Sequence, residues 1–367
     1  MKFETKKLEI VDSLHIGAAI AERRQTIPIL ANLMMVARNN SVEITATDLE
    51  IQVKIKTEVN KVLEEGETTV SARKMSELCR SLPENEILEF GLLNGKLNVK
   101  SKNFHADFAT LSSEDFPLLE MSEVNQNFRL SSSLLKRLLS KTQFCMASQD
   151  VRYYLNGLLL EYKNSKFSAV TTDGHRLALA SINMQNQEHE EFRVILPRKA
   201  VLELTKILPQ DESLVQLSVG NTSVKIKMDN LDFTTKIIDG KFPDYEKVFP
   251  EGDSYNLSIS KDNLLSALLR ASVLSNEKYK GVRFALENNL LRLTANNPEQ
   301  ESAEETMEVK YSGLNMEIGF NIGYLLDVLN SIDGKNIELL FYNQESSCLI
   351  KEHDNDSEIY VIMPMRL

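Results

Sequence analysis

Residues 173–176 read Asp-Gly-His-Arg, inside the stretch VTTDGHRLALA at 170–180. A carboxylate, a flexible glycine, an imidazole and a guanidinium in succession are the raw material of hydrolase or transferase chemistry. Such chemistry needs more than titratable groups: a nucleophile or a metal, a shaped pocket, and a base within hydrogen-bond reach. The chain offers no nucleophile elbow, no phosphate-cradling glycine loop and no metal-ligand cluster. Cys79, Cys145 and Cys348 are far apart and form no Cys-x-x-Cys pair. They read as buried small hydrophobes, not as disulfide or zinc partners. The five histidines (His15, His105, His175, His189, His353) are equally dispersed, none at His-x-x-x-His spacing. No metal, no cofactor and no catalytic residue are expected. An enzyme using Asp173, His175 and Arg176 stands as the runner-up reading.

The elements around this tetrad recur. VEITATDL (42–49), FSAVTTDG (167–174) and LRLTANNP (291–298) align on Asp48, Asp173 and Asn297, about 125 residues apart each time. VSARK (70–74), ILPRK (195–199) and FNIGY (320–324) repeat at the same interval, and DFP (115–117) is echoed by KFP (241–243). A period of that length is domain-sized, far beyond a solenoid unit. Three domains are expected, at 1–126, 127–252 and 253–367, with polar linkers EMSEVNQN and EGDSYN between them. Each begins with a helix, as in SSSLLKRLLSKTQFCMA (131–147) with its apolar residues at helical spacing. Two or three alternating strands follow, then a shorter helix, then closing strands. The fold class is α+β: two helices packed on β-sheet, three times over. The shared Asx position then reads as a turn residue bonding its own backbone. His175 and Arg176 have no counterparts in the sister repeats and need a separate explanation.

The net charge of −11 argues against gripping nucleic acid over the whole surface, but the bases are sorted. In helix 72–82, Met75, Leu78, Cys79 and Leu82 form an apolar stripe while Arg73, Lys74 and Arg80 share the other side. Arg198, Lys199 and Lys206 do likewise in the sister helix, and Lys136, Arg137 and Lys141 occupy the polar arc of helix 131–147. In the third repeat Lys261 and Arg270 must serve. Gln149 with Arg152-Tyr153-Tyr154, and Arg23-Arg24 at the matching place in the first repeat, suit phosphate or base-edge contact. No apolar run reaches signal-peptide length at the start, and nowhere do eighteen apolar residues occur together. A cytoplasmic protein without membrane contact is expected.

TDGHRLA (172–178), QDVRYYLNG (149–157), FPDY (242–245), LSNEK (274–278), ANNPEQE (295–301) and VIMPMRL (361–367) together resemble the bacterial sliding clamps, the beta subunits of DNA polymerase III holoenzyme. The resemblance spans essentially the whole chain. It implies the DNA-clamp fold and a homodimer: a head-to-tail ring of six domains with helices lining a hole through which double-stranded DNA passes. Binding would be topological and sequence-neutral, with Arg24, Arg73, Gln149, Tyr153 and Tyr154 as the DNA-binding residues. The implied partners are the DNA polymerase III alpha subunit, the clamp loader, other polymerases and repair proteins, all docking by short peptides. By position their pocket would be walled by Leu155, Thr172, Gly174, His175, Arg176, Leu177, Pro243, Lys247, Val248, Val361, Met363, Pro364, Met365, Arg366 and Leu367. Lys247 departs from the family's usual arginine. The ring joint would set Glu299, Glu301, Glu304 and Glu305 against Lys96, Lys100 and Lys102, with Phe108, Val273 and Leu274 as its apolar part. His105 and these lysines stand where arginines are common. A protein-only scaffold that never meets DNA is the remaining alternative.

Overall fold

The computed structural model describes residues 1–22, 27–121, 123–184 and 190–366. Among the described residues six α-helices stand in three pairs: α1 (Lys7–Ile20) and α2 (Ala72–Ser81), α3 (Ser132–Thr142) and α4 (Arg198–Ile207), α5 (Lys261–Val273) and α6 (Ile322–Ser331). In α2 the face expectation holds: Met75 and Cys79 are buried, and Arg73, Lys74 and Arg80 are exposed. The helix expected over 131–147 is shorter. It ends at Thr142, whose hydroxyl turns back to the Leu138 carbonyl at 2.7 Å, and a 3-10 turn, Gln143–Cys145, follows.

Two further differences concern the strands. Each repeat opens with a strand before its first helix: Lys2–Lys6, Val124–Ser131 and Tyr255–Ser260. At least four strands, not two or three, then separate the paired helices. These openers are short or polar on one face, so their alternation is easily lost in the adjoining linker.

Within each repeat a side chain at the start of the first helix donates to a carbonyl at the end of the second, and Lys7 reaches the Leu82 carbonyl as well. Lys7 Nζ donates to Arg80 O at 3.0 Å, Ser132 Oγ to Pro209 O at 2.9 Å, and Lys261 Nζ to Ile332 O at 2.9 Å. Carbonyls at a helix C-terminus have no partner inside the helix, and a donor or cation there satisfies them. Three repeats solve one capping problem with lysine, serine and lysine.

The chain forms two compact units: Met1–Leu135 with Leu202–Ile237, and Lys136–Val201 with Ile238–Leu367. The first contains a five-stranded sheet and an eight-stranded sheet, the second a nine-stranded and a four-stranded sheet. The units cut through the middle repeat because both large sheets are shared between repeats. In the first unit, Leu231–Lys236 pairs antiparallel with Ile51–Glu58, Phe233 opposite Val53. In the second, Glu358–Ile362 pairs antiparallel with Arg176–Asn183, Leu177 opposite Val361. Beneath the sheets lie fully buried side chains such as Phe3 stacked on Phe90 at 4.6 Å and Phe284 edge-on to Phe320 at 5.3 Å. All three cysteines are free and buried. Burial pushes the Cys79 thiol up to about 12, against a weaker opposing pull from Lys7, so it sits in the core as a neutral thiol.

Candidate functional site

The Asp-Gly-His-Arg tetrad is a tight connection between two strands, Lys166–Thr172 and Arg176–Asn183. Asp173 Oδ1 accepts from the amides of His175 (2.9 Å) and Arg176 (3.1 Å), as expected of a turn carboxylate. Thr172 Oγ1 accepts from Gly174 N at 3.0 Å and donates to Arg176 O at 2.6 Å. Gly174 has φ +90, which a glycine adopts without strain. The second oxygen of Asp173 receives Arg176 Nε at 3.0 Å. Arg176 continues outward: Nη1 donates to Asp327 Oδ2 at 2.6 Å and Nη2 to Phe144 O at 3.0 Å. Its guanidinium lies 4.5 Å from the Tyr324 ring centroid and 5.6 Å from that of Phe144. Asp173 and Arg176 are thus engaged with each other and with the turn they belong to.

Beside this turn is a pocket of about 180 Å³. Of the expected wall residues, Leu155, Thr172, Gly174, Arg176, Pro243, Val248, Val361 and Met363 line it. Leu177 lies beneath, buried with Leu159, Phe242, Tyr245 and Val361. The base is stiffened by Tyr245, whose hydroxyl donates to buried Glu161; burial first, and that carboxylate second, push the phenol well above its usual range. His175, Lys247, Pro364, Met365 and Arg366 are not on the lining, and Leu367 lies outside the described residues. His175 contributes through its backbone instead, its carbonyl accepting from Met363 N at 2.9 Å. Met365 N donates to Gly319 O at 2.7 Å, which lays the C-terminal segment along the strand Met316–Asn321. Lys247 is 82 % exposed and paired with Asp244 at 3.0 Å.

Two lining residues were not expected there. Tyr154, read from the sequence as a nucleic-acid contact, is on the pocket wall, and Arg152 is beside it. Arg152 is held by Asp150 through Nε (3.0 Å) and Nη2 (2.9 Å). The Arg152 side chain, and then its own amide, hold the Asp150 carboxyl down at about 2. An Asp two residues before an Arg was the signal available in the sequence. Asp327, Tyr324 and Phe144 had no such signal, because they meet Arg176 only through tertiary contact.

The residues expected to contact nucleic acid differ in exposure and in their partners. Arg73 is exposed and bonded to Glu77 at 2.7 Å; Gln149 is exposed at φ +59; Tyr153 is 56 % exposed and edge-on to Tyr154 at 5.8 Å. Arg24 lies outside the described residues. A cleft of about 740 Å³ lies between α1 and α2, where His15, Arg73, Lys74 and Arg80 stand with Glu22 and Glu77 among alanines and serines. Lys141, expected on a polar arc, is buried instead. Its amine pairs with Asp333 at 2.8 Å, and Arg137 joins the cluster through Asp333 (3.0 Å) and Glu358 (2.6 Å). In the third repeat Arg270 pairs with Glu305, Nε to Oε2 at 2.8 Å, and Lys261 caps α6.

The residues expected at a ring joint lie at two sheet edges. Phe108 is half-buried on the outermost strand His105–Ala109, with Lys96 and Lys100 exposed on the strand paired to it and Lys102 exposed in the connecting loop. Glu304 and Glu305 are on the outermost strand Ser302–Glu308, and Glu299 and Glu301 are exposed just before it. Val273 is 78 % exposed at the end of α5, with Leu274 half-buried after it.

Three family models match the chain in order: DNA polymerase III beta subunit, N-terminal domain, over residues 1–120; central domain, over 129–244; and C-terminal domain, over 246–366. The beta sliding clamps of Pseudomonas aeruginosa and Escherichia coli are 41 % and 40 % identical over 367 residues, with all of each chain covered. A crystal structure of the DNA polymerase III subunit beta from P. aeruginosa superposes with a TM-score of 0.96 at 41 % identity, covering 100 % of both chains. A sliding clamp from the same organism bound to griselimycin gives 0.97 at 41 %, and Caulobacter crescentus pol III beta gives 0.94 at 31 %, each again over 100 % of both chains.

Proposed function

The chain belongs to the family of DNA polymerase III beta subunits, the bacterial sliding clamps, and on that premise we propose how it closes and what it holds. It is a processivity factor, a clamp that encircles duplex DNA and tethers the replicative polymerase and other clamp-binding proteins through a peptide pocket. Its working parts are three repeats, 1–126, 127–252 and 253–367. Two chains join head to tail into a ring of six.

The observation that carries the ring is a joint the chain makes twice within itself. The last strand of the middle repeat pairs with the strand leaving the Asp48 turn, and the last strand of the third pairs with the strand leaving the Asp173 turn. Among the described residues two members of this series have no partner strand on one side: His105–Ala109, last in the first repeat, and Ser302–Glu308, which leaves the Asn297 turn. An outermost strand is a template for another chain. These two edges are complementary to each other and not to themselves, so the contact is heterologous, and two copies of it close a dimer. The glutamates at 299, 301 and 304 would then face the lysines at 96, 100 and 102, while Glu305 stays with Arg270. Val273 and Leu274 would cover Phe108.

DNA is held by topology more than by affinity, with exposed Arg73, Gln149 and Tyr153 supplying sequence-neutral contacts. The 180 Å³ pocket receives one or two apolar side chains of short peptides from the polymerase alpha subunit, the clamp loader and repair proteins. The protein is non-catalytic and works in the cytoplasm. The test is retention: clamp loaded with ATP and a clamp loader onto nicked circular DNA stays for many minutes in moderate salt, and linearising the circle releases it. Equal lifetimes on both forms would overturn the topological reading, because an ordinary phosphate binder loses affinity with salt on either.

A further inference from the structure

In the third repeat the two bases that the sequence offers for nucleic acid are engaged elsewhere. Lys261 caps α6, Arg270 is bound to Glu305, and α6 itself carries no basic residue. The turn between α5 and the strand Gly281–Glu287 supplies what those elements do not. It reads Asn276-Glu277-Lys278-Tyr279. Asp150-Val151-Arg152-Tyr153 stands at the same place in the middle repeat, after α3 and before the strand Gly157–Lys163. Both are Asx turns. Asp150 Oδ1 accepts from Arg152 N at 2.8 Å, and Asn276 Oδ1 accepts from Lys278 N and Tyr279 N, each at 2.9 Å. Tyr153 and Tyr279 are alike in exposure, 56 % and 58 %.

One exchange changes what the turn can do. Asp150 takes the side chain of its arginine as well as the backbone, through Nε and Nη2. Asn276 is neutral, so it fixes the backbone and leaves the cation alone. Lys278 and Lys280 are exposed, and among the described residues neither has a carboxylate partner; Glu277, exposed between Asn276 and Lys278, pairs with neither. The backbone beneath them is held from both sides. Lys280 N donates to Asn276 O at 2.7 Å, Lys280 O accepts from Ile322 N at 2.8 Å, and Tyr279 O accepts from Asn321 Nδ2 at 3.4 Å. Lys278 Nζ lies 5.3 Å from the Tyr279 ring centroid, so the ring holds the ammonium without neutralising it. Two unpaired cations thus stand on one ordered turn, in a chain of net charge −11.

We infer that Lys278 and Lys280 are the third repeat's nucleic-acid contact: each binds a phosphate of duplex DNA, and Tyr279 is a positioning residue for Lys278. The inference rests on the clamp reading above and adds residues that the expected set of Arg24, Arg73, Gln149, Tyr153 and Tyr154 does not contain. An ammonium on a phosphate is sequence-neutral and readily exchanged, which is the contact a sliding ring can use.

Binding is read by fluorescence anisotropy of a short labelled duplex, with its single strand alongside, over a salt series and without a clamp loader. Lys278→Gln combined with Lys280→Gln should weaken duplex binding about three- to tenfold at low salt and lower the slope of log K against log salt by about two, one per phosphate. Tyr279→Leu should weaken it about twofold, and Tyr279→Phe, which keeps the ring, should bind as the wild type does. Lys56→Gln combined with Lys227→Gln removes the same charge from exposed positions of the eight-stranded sheet and should leave the slope as it is. All these side chains are exposed, so the variants should melt as the wild type does. A wild-type slope in the Lys278 and Lys280 variant, an equal loss in the control pair, a loss confined to the single strand, or no duplex binding by the wild type overturns the inference. Wild-type affinity in Tyr279→Leu overturns the positioning role. Retention on nicked circular DNA tests the ring separately: the Lys278 and Lys280 variant, once loaded, should stay as long as the wild type, because closure does not use these lysines. A wild type that is not retained overturns the clamp reading, and the duplex assignment with it.

Discussion

The turn at Thr47–Ile51 and the turn at Thr172–Arg176 share one backbone plan. In the first, Thr47 Oγ1 donates to Ile51 O at 2.8 Å and accepts from Leu49 N at 3.1 Å. Asp48 Oδ1 accepts from Glu50 N at 2.9 Å and Ile51 N at 2.7 Å. Every one of these bonds has its twin in the second turn. The side chains then diverge. Leu49, at φ +74, stands where Gly174 does, Ile51 where Arg176 does, and buried Gln52 where Leu177 does. Gln52 clasps the linker, taking Leu119 N at 2.8 Å and donating to Leu119 O at 3.4 Å. After Pro243 the other linker coils into the 3-10 turn Tyr245–Val248, and a pocket stays open beside it. The Asx turn is thus the shared part of the repeat, and binding capacity comes from the residues hung on it.

Exchanging residues between the turns tests this division. The largest effect is expected from Arg176→Ile, which gives the second turn the residue of the first. It leaves Asp173, only 18 % exposed, without its cation and takes the second partner from Asp327. Breaking such a pair from one side costs about 3 kcal/mol, read as a lower midpoint in guanidinium unfolding. An unchanged midpoint would show the network to be ornamental.

Gly174→Leu should act on binding more than on folding. Leu49 shows that leucine can occupy this turn, at a positive-φ cost of about 1 kcal/mol. At 174, however, the new Cβ meets the Arg152 guanidinium. Peptide affinity should fall at least about tenfold, or about 1.4 kcal/mol, in a protein that stays folded. Full affinity would mean that the glycine is required by the backbone alone.

The smallest change is Gln52→Leu, which hands the first turn the residue beneath the pocket. Losing the clasp on Leu119 should cost about 1 kcal/mol and speed hydrogen exchange at the Leu119 amide, leaving peptide binding untouched. An exchange rate equal to the wild type's would mean the linker is held by something other than Gln52.

Much of this was legible in the residues alone because it is local. The period near 125 residues, the Asx turns at 48 and 173, the faces of α2 and the burial of Cys79, Cys145 and Cys348 all follow from spacing over a few positions, whereas Asn297 bonds the Glu301 amide instead. Turn chemistry and helical periodicity depend on near neighbours, so they appear directly in the order of amino acids. Tertiary structure decided the rest. Lys141 has the spacing of a solvent-facing base, yet Asp333 and Glu358, about 190 and 220 positions away, hold it buried. The sharing of sheets between repeats, the Asp327–Arg176 bond and the approach of Arg152 to Gly174 are likewise meetings of distant segments. Such contacts are chosen by which surfaces remain unpaired once the local elements have formed, and sequence spacing carries no record of that choice.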